Sequence, residues 1–339
     1  MSITAKELAK ILKISEAAVS MALNNKPGVS TERKREILAA AEKYGYDFTR
    51  VNRKHNLAGS VYFVIYKKHG TVVTDTPFFS ELSGGVENAC RERGLKLRTR
   101  YIYEDEDTPK EIEALRYSDC IGMILLGTEM TREDFNAFAD LPFPLVLLDA
   151  SFQNISRDTV MIDNVQAAYL ATSYLITHIR TQPGYLRSSY SIANFEERAD
   201  GFYKAIRESG MSSGKSPVHR LTPSIEGAYE DMKALLSEGQ IPARGYFADN
   251  DLIAVGAMRA LLNAGYRIPQ DVAIIGFDNM PIGNYTSPTL TTVNVPKAYM
   301  GETAVKRLME LLTAKNFVPV RIMVSVTLVK RNSVHIRKK

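Results

Sequence analysis

From Val61 onward, strand-like apolar runs alternate with segments of helical periodicity, and this alternation constrains the fold more than any other feature. The runs VYFVIY, LKLRTRYIY and IGMILLG are each followed by a stretch whose apolar residues repeat at helical spacing. Such alternation predicts a parallel sheet with helices on both faces. A second alternating set begins near Asn164 and ends with DVAIIGF, so two doubly wound α/β subdomains are predicted.

The first 45 or so residues have a different pattern, which predicts three short helices. Thr4 and Glu7 have the spacing of a capping box, and Ser15 and Ser30 are N-cap candidates for the second and third helices. Gly45 ends the third helix. Two helices joined by about three residues, with a third closing the core, predict a helix-turn-helix whose second helix enters the DNA major groove.

The charge distribution supports a nucleic-acid partner for this head. Residues 1–55 hold 11 Lys and Arg against 6 Asp and Glu, a net charge of +5, whereas the other 284 residues balance to zero. A basic head on a neutral body is typical of a module that displaces counterions from a polyanion. A merely solvated basic terminus is the alternative interpretation.

The sequence gives no sign of export, membrane insertion or a metal site. No basic leader with an apolar stretch and cleavage site is present, and no apolar run approaches the length that spans a bilayer. Cys90 and Cys120 have no metal or redox spacing. The sequence therefore predicts a cytoplasmic protein without a metal, another cofactor or a membrane partner.

Enzyme motifs are also missing from the α/β region. The sequence contains no G-x-G-x-x-G after a strand, no G-x-x-x-x-G-K-[ST] and no H-E-x-x-H. We therefore expect no enzymatic activity and no catalytic residues. A transport-type binding protein is a further alternative that the body would permit, but the head and the missing signal peptide argue against it.

The head, ITAKELAKILKISEAAVSMALNNKPGVSTERKREILAAAEKYGY, resembles position by position the N-terminal headpiece of the LacI/GalR family of bacterial repressors. The body resembles the core of the same family through TPFFSELSGGVENACRERG, VMIDNVQAAYLATSYLI, EERADGFYKAI, ADNDLIAVGAMRALLNAGYRIPQDVAIIGFDN and SPTLTTVNVPKAYMGETAVKRLMELL. This resemblance implies a multi-domain fold. An all-α helix-turn-helix headpiece would precede an α/β periplasmic-binding-protein-like core of two doubly wound parallel-sheet subdomains.

The resemblance also implies domain boundaries, because the chain of that architecture crosses between its two lobes three times. The headpiece is expected at 1–46, the hinge or linker at 47–60, and the effector-binding and dimerisation core at 61–339. Lobe 1 is expected at about 61–162 and 290–322, and lobe 2 at about 163–289 and 323–339.

Base recognition is expected to depart from the family pattern, because Met21 occupies the position that usually carries a guanine-reading arginine. The side chains expected to face base edges are Glu16, Ala17, Ala18 and Met21. Glutamate accepts from cytosine N4, and alanine or methionine contacts a thymine methyl group, so we expect an operator with atypical half-sites. In the alternative, Met21 packs inward and base reading moves to Ser20 or Asn24.

Phosphate contacts are expected from polar residues at helix ends, where hydroxyl, amide and backbone N–H groups meet phosphate oxygens. These residues are Thr4, Ser15, Ser20 and Asn24, with charge added by Lys26 and Arg33. Each of the polar groups is equally suited to plain capping, and the capping box favours that interpretation for Thr4.

The linker departs from the family pattern, since Phe48-Thr49 replaces the usual Pro-Asn and His55 occupies the position of the minor-groove leucine wedge. Either Leu57 serves as the wedge after a register shift, or the linker binds mainly to the DNA backbone. We favour the second hypothesis. The backbone-binding residues would be Arg50, Arg53 and Lys54.

Effector-binding residues follow from matching the body to the family. Arg198 lies where the family binds hydroxyl or carboxylate groups, and Asn250 and Asp278 match its other polar contacts. Phe78 and Phe79 lie where an aromatic face covers the ligand, with Phe79 as the expected stacking residue. Asp149, which ends PLVLLD, is a further candidate. The alternatives are a core role for Phe78 and a salt bridge within its own lobe for Arg198.

The expected function is that of a sequence-specific transcriptional regulator, expected to be a repressor, that binds double-stranded operator DNA as a homodimer. One helix-turn-helix reads one half-site, so a paired operator requires two-fold symmetry. A small-molecule effector, expected to be a sugar, would bind between the lobes and control operator affinity. The alternatives are a purine or sugar-phosphate effector, or a ligand-silent core that only dimerises.

Overall fold

The structure is a computed structural model that describes residues 3–23, 28–46, 59–73, 76–104, 107–313 and 317–334. Nearly all of the expected linker lies outside these residues. The same holds for several residues to which the sequence assigned a role in DNA binding: Asn24, Lys26, Phe48, Arg50, Arg53, Lys54, His55 and Leu57.

Three short helices form the head, as the sequence predicted: α1 (Ala5–Leu12), α2 (Glu16–Leu23) and α3 (Thr31–Lys43). The Thr4–Glu7 capping box is formed at the start of α1, and Ser30 accepts a hydrogen bond from the Arg33 N–H at the start of α3. The helices share one apolar core because each turns a buried stripe towards the other two. That core consists of Leu8, Ala9, Val19, Ala22, Leu23, Ile37 and Ala41.

Strands and helices alternate through the body. The described strands are β1 (Ser60–Lys67), β2 (Lys96–Tyr103), β3 (Cys120–Leu126), β4 (Leu145–Leu148), β5 (Asp158–Ile162), β6 (Gly184–Ser188), β7 (Val218–Leu221), β8 (Gly245–Ala248), β9 (Ala273–Asp278), β10 (Thr291–Asn294), β11 (Arg321–Val324) and β12 (Thr327–Val329). The described α-helices are α4 (Pro77–Glu92), α5 (Thr108–Arg116), α6 (Arg132–Asn136), α7 (Asn164–Ile179), α8 (Ala193–Glu208), α9 (Ile225–Ser237), α10 (Asp251–Asn263) and α11 (Lys297–Thr313).

The strands form two six-stranded sheets, which confirms the two predicted α/β subdomains. The first has the order β11-β5-β4-β3-β1-β2 and the second the order β12-β10-β9-β8-β6-β7. Strand β1 pairs in parallel with β2 and β3, and β9 pairs in parallel with β8 and β10. Strand β12 is antiparallel to β10 at the edge of the second sheet. Both sheets are therefore wound outward from a central strand.

The described body divides into two compact units at boundaries that differ from the expected ones. The first unit comprises the described residues within 1–68, 85–159 and 301–321, and the second comprises those within 69–84, 160–300 and 322–339. The segments 69–84 and 290–300 therefore belong to the second unit, whereas the sequence placed both in the first lobe. For the segment 290–300, the physical reason is that β10 pairs with β9 and β12.

Neither a membrane span nor a metal cluster is found in the described parts of the chain. None of the described helices is both long and apolar enough to cross a bilayer. No three His, Cys, Asp or Glu side chains among the described residues lie close enough together to hold a metal ion.

Candidate effector and DNA-binding sites

Three of the expected effector residues lie together in the second unit. Asp278 is the last residue of β9, Asn250 follows β8, and Arg198 lies in the second turn of α8. Neighbouring parallel strands bring their carboxyl ends to one edge of a sheet, and this is where ligands bind in open α/β folds. The Arg198 Nη2 atom lies 3.6 Å from the Asp278 Oδ1 atom.

Arg198 is held rigidly in this site, with 5% of its surface exposed. Its Nε donates to the Asn164 Oδ1 at 3.0 Å, and its Nη1 donates to the Asp249 carbonyl oxygen. The guanidinium carbon lies 3.7 Å from the centre of the Phe277 ring, which is cation–π geometry. Arg198 therefore forms an ion pair within its own unit, as one interpretation of the sequence predicted. Its position at the carboxyl ends of the strands also suits a ligand-binding residue.

Asp278 has a carboxylate oxygen without a hydrogen bond at this site. Its Oδ1 is buried and has no hydrogen-bond partner, although the Arg198 guanidinium lies nearby. Burial raises the pKa of Asp278 to about 6, against the opposing effect of Arg198 and Lys297. A buried polar atom without a partner is costly, so a ligand hydroxyl that donates to it would relieve this penalty.

Asn250 has a defined structural role in addition to its expected role. Its Oδ1 accepts from the Ile253 N–H at 2.9 Å, so it is the N-cap of α10. The capping bond uses the side-chain oxygen and none of the amide N–H donors. Asn250 therefore retains donor groups for a ligand while its rotamer is fixed by the cap.

Two carboxylates next to Asn250 were not singled out from the sequence. Asp249 accepts from the Ser188 N–H at 2.7 Å and from the Tyr185 hydroxyl, and burial raises its pKa to about 6. Asp251 accepts from the Met280 N–H at 2.6 Å, and burial followed by the charge of Asp278 raises its pKa to about 8. The sequence indicates these two carboxylates through the run ADND, in which an aspartate stands on each side of Asn250 directly after a buried strand.

Phe78 and Phe79 lie at the start of α4 and contact each other edge to face, with ring centres 4.9 Å apart. Phe78 is buried, as its alternative core role required, whereas Phe79 is half-buried. The Lys297 ammonium, which the sequence did not single out, lies 5.8 Å from the Phe78 ring centre. The partly exposed Phe79 is therefore the ring better placed to cover a ligand.

Asp149 lies in the first unit, apart in the chain from the other candidates. It follows β4, is buried, and adopts a left-handed backbone conformation with φ 58°. Its Oδ2 accepts from the Thr128 hydroxyl at 2.7 Å. The structure thus gives Asp149 a hydrogen-bonding role within its own unit.

In the head, the predicted recognition helix α2 leaves Glu16, Ala17 and Ser20 exposed, while Ala18 and Met21 are half-buried. The Met21 sulfur lies 2.9 Å from the position that a Cβ atom on Gly28 would occupy. Gly28 has a φ of +118°, a backbone conformation that residues with a Cβ atom rarely adopt, so glycine is favoured there. Met21 therefore packs against Gly28, which favours the inward-packing alternative for this side chain.

The expected phosphate-binding residues of the head also have local partners. The Thr4 side chain completes the capping box with Glu7, and the Ser15 Oγ accepts from the Ala18 N–H at 3.1 Å. Arg33 forms an ion pair with Glu36 at 2.6 Å. All of these groups are exposed, so capping leaves them accessible to a phosphate.

Comparison with known proteins gives relatives along the whole chain. Residues 173–334 match the model of a periplasmic binding protein-like domain. The HTH-type transcriptional repressor PurR of Pasteurella multocida (strain Pm70) is 29% identical over 340 residues, covering 98% of this chain and 99% of that protein.

Solved structures share the fold. A LacI family transcriptional regulator from Enterococcus faecium with bound ribose is 26% identical with a TM-score of 0.70, covering 82% of this chain and all of that one. The lac repressor dimer bound to operator and the anti-inducer ONPF is 20% identical with a TM-score of 0.70, covering 98% and 99% of the two chains. With its three-helix head and two-sheet body, the chain is similar along its length to bacterial transcriptional regulators of the LacI/GalR family.

Proposed function

We propose that this regulator represses transcription as a homodimer on operator DNA and that a neutral polyhydroxy molecule, a sugar, controls its operator affinity. The observation that best supports a sugar as the effector is the ion pair between Arg198 and Asp278. The buried Oδ1 of Asp278 in this pair has no hydrogen-bond partner. Sugars donate hydroxyl hydrogens to carboxylates and accept from guanidinium groups. The half-buried Phe79 supplies an aromatic face for the C–H surface of the ring.

The charge balance at this site favours a neutral ligand over a sugar phosphate. Of the two buried cations described there, Arg198 faces Asp278 at 3.6 Å and Lys297 faces Glu81 at 3.3 Å. A phosphate dianion would add two negative charges to a site whose cations are already matched by carboxylates. Burying an unmatched charge costs several kcal/mol, which is roughly the whole free energy of moderate binding.

Dimerisation and DNA binding follow from the geometry of recognition. One head reads one half-site, so a two-fold operator requires two chains, and the related lac repressor structure is a dimer bound to operator. In this proposal Glu16, Ala17 and Ser20 of α2 face base edges, and Thr4, Ser15 and Arg33 contact phosphates. The protein would act without enzymatic activity, in the cytoplasm where chromosomal DNA lies.

A ligand panel tests the effector class. Full-length protein would be titrated calorimetrically with neutral sugars, sugar phosphates, purine bases and nucleosides. We expect a neutral sugar to bind, and we expect Arg198→Lys to weaken it at least about tenfold, because lysine keeps the charge but loses the planar fork of donors. Operator affinity without effector should remain within about threefold of the wild type.

The matched control is Arg259→Lys, the same exchange at an exposed position that contacts Tyr229. This variant should bind the sugar as the wild type does. Binding of a purine or a sugar phosphate in place of a neutral sugar would contradict the proposed effector class. A panel without any binding would indicate a core that only dimerises.

A further inference from the structure

Lys297 is the most unusual residue near the effector site, because its long cationic side chain is 2% exposed. It is the first residue of α11, three positions after the end of β10. Lysine is almost never fully buried unless its ammonium is paired and hydrogen-bonded. The buried charge of Lys297 must therefore be stabilised by groups around its ammonium.

The contacts of the ammonium account for all of its donors. The Lys297 Nζ donates to the Asp278 carbonyl oxygen at 2.7 Å and to the Val295 carbonyl oxygen at 3.3 Å, and it lies 3.3 Å from the Glu81 Oε2. An ammonium group has three N–H donors, so these three acceptors use its full capacity. Direct ligand binding is thus not its role, and a supporting role remains.

The strongest of these bonds fixes the backbone at the end of β9. Asp278 has a φ of 104° and Asn279 a φ of 51°, both in the left-handed region that non-glycine residues rarely adopt. Such conformations persist where surrounding groups hold them. Lys297 holds the Asp278 carbonyl, and Asn294 and Arg331 hold the Asn279 side chain at 2.8 and 2.7 Å.

The charges around Asp278 come from several elements. Arg198 of α8 and Lys297 of α11 favour its ionised form, whereas burial and Asp249, after β8, oppose it. Asp251 of α10 couples to it as a further carboxyl group, and Glu81 of α4 pairs with Lys297. The buried ammonium is thus one of two cations that keep this carboxylate charged.

We propose that Lys297 is a positioning residue of the effector site, whose ammonium holds the Asp278 backbone and stabilises its carboxylate, so that the free Oδ1 accepts a hydroxyl of the effector. This inference rests on the proposed function. It explains why a cation with no unused donor is buried beside the candidate ligand-binding carboxylate. Lys297 would thereby set the pH range over which the effector binds.

The test uses Lys297→Met, which keeps the length of the side chain and removes its charge and donors. The carboxyl carbon of Asp278 would be titrated by ¹³C NMR in full-length protein without effector, and Asp278→Asn would identify its signal. We expect the pKa of Asp278 to rise by about one pH unit, since a nearby opposite charge lowers a carboxyl pKa by about 1 to 3. An unchanged titration in the folded variant would overturn the inference.

Two further variants separate charge from folding. Lys204→Met, the same exchange on the exposed face of α8, should leave the Asp278 titration unchanged. Lys297→Arg retains the charge, so the pKa of Asp278 should stay close to that of the wild type. If Lys297→Met does not fold, Lys297→Arg is the variant in which the pKa of Asp278 is measured. A raised pKa in Lys297→Arg as large as that in Lys297→Met would contradict the role of the charge.

Effector binding then gives a second readout. With the sugar identified by the panel, Lys297→Met should bind about threefold more weakly at pH 6.5 and recover towards wild-type affinity at pH 8.5, where Asp278 is ionised in both proteins. Equal loss at both pH values would indicate a purely structural role and overturn the inference. If the pKa of Asp278 shifts in Lys297→Met but no compound of the ligand panel binds the wild type, the proposed effector function is contradicted instead.

Discussion

At the scale of single residues, Asp251 shows how burial changes the chemistry of a carboxyl group. Its side chain is completely buried and contacts the Met280 N–H and the Thr292 hydroxyl, both at 2.6 Å. The charge of Asp278 adds to the effect of burial, so the pKa of Asp251 rises to about 8. This raised pKa favours the protonated form of Asp251 at pH 7, while its oxygens accept from the Met280 N–H and the Thr292 hydroxyl.

This neutrality predicts a pH dependence of stability. A raised pKa in the folded state means that the folded state binds more protons, so stability falls as pH rises from about 4 through about 8. Asp249 and Asp278 have pKa values of about 6, so Asp251 dominates above pH 7. We expect Asp251→Asn to flatten the decline in the free energy of unfolding between pH 7 and 9, measured by urea denaturation.

The control for this prediction is Asp271→Asn, which removes a half-buried carboxylate whose pKa Arg267 holds well below this pH range. That variant should keep the wild-type slope above pH 7. An unchanged slope in Asp251→Asn would show that Asp251 is already ionised at pH 7.

At the scale of elements, two helix pairs of the second unit pack through glycine. A Cβ atom on Gly201 of α8 would lie 2.2 Å from the Val165 carbonyl oxygen of α7. A Cβ atom on Gly256 of α10 would lie 2.4 Å from the Ile225 carbonyl oxygen of α9. Because these obstacles are backbone atoms of a neighbouring helix, they cannot move aside as a flexible side chain would.

Alanine at either glycine is therefore expected to destabilise the second unit. Gly201→Ala or Gly256→Ala should lower the free energy of unfolding by about 1 to 3 kcal/mol, the usual cost of overpacking, as measured by urea denaturation. Gly84→Ala is the matched control, because Gly84 lies within α4 and has no atom within 4 Å of its Cβ position.

In that control the higher helix propensity of alanine should raise stability by up to about 1 kcal/mol. Equal effects of the three substitutions would contradict the close helix packing.

At the scale of the whole molecule, the charge distribution separates DNA binding from effector sensing. The net charge of +5 resides in residues 1–55, and the rest of the chain is balanced. Counterion release from DNA depends on the cations that meet phosphates, so the head alone should govern the salt response. The buried effector site is much less sensitive to ionic strength.

Operator affinity should accordingly fall steeply with salt. On a duplex selected by the full-length protein from a random pool, we expect about 100-fold weaker binding at 200 mM than at 50 mM salt. Arg33→Gln should reduce the slope of log affinity against log salt by roughly one per chain. Lys204→Gln, which removes the same charge from the second unit, should not alter it, and a flat salt response of the wild type would contradict this model.

The amino-acid sequence determined the elements and much of the candidate site. Apolar spacing and capping residues such as Thr4 and Ser30 are local signals, so they predicted the three-helix head and the alternating strands. Motifs at strand ends and the family resemblance predicted Arg198, Asn250 and Asp278 as effector-binding residues. These predictions needed no knowledge of which distant segments pair.

The tertiary structure decided what depends on long-range contacts. It placed β10 in the second sheet, because strand pairing joins segments whose partner is not encoded in local spacing. It also buried Asp249, Asp251 and Lys297 around Arg198 and Asp278. Burial and mutual charge set the protonation of such groups, and both arise only when the chain has folded.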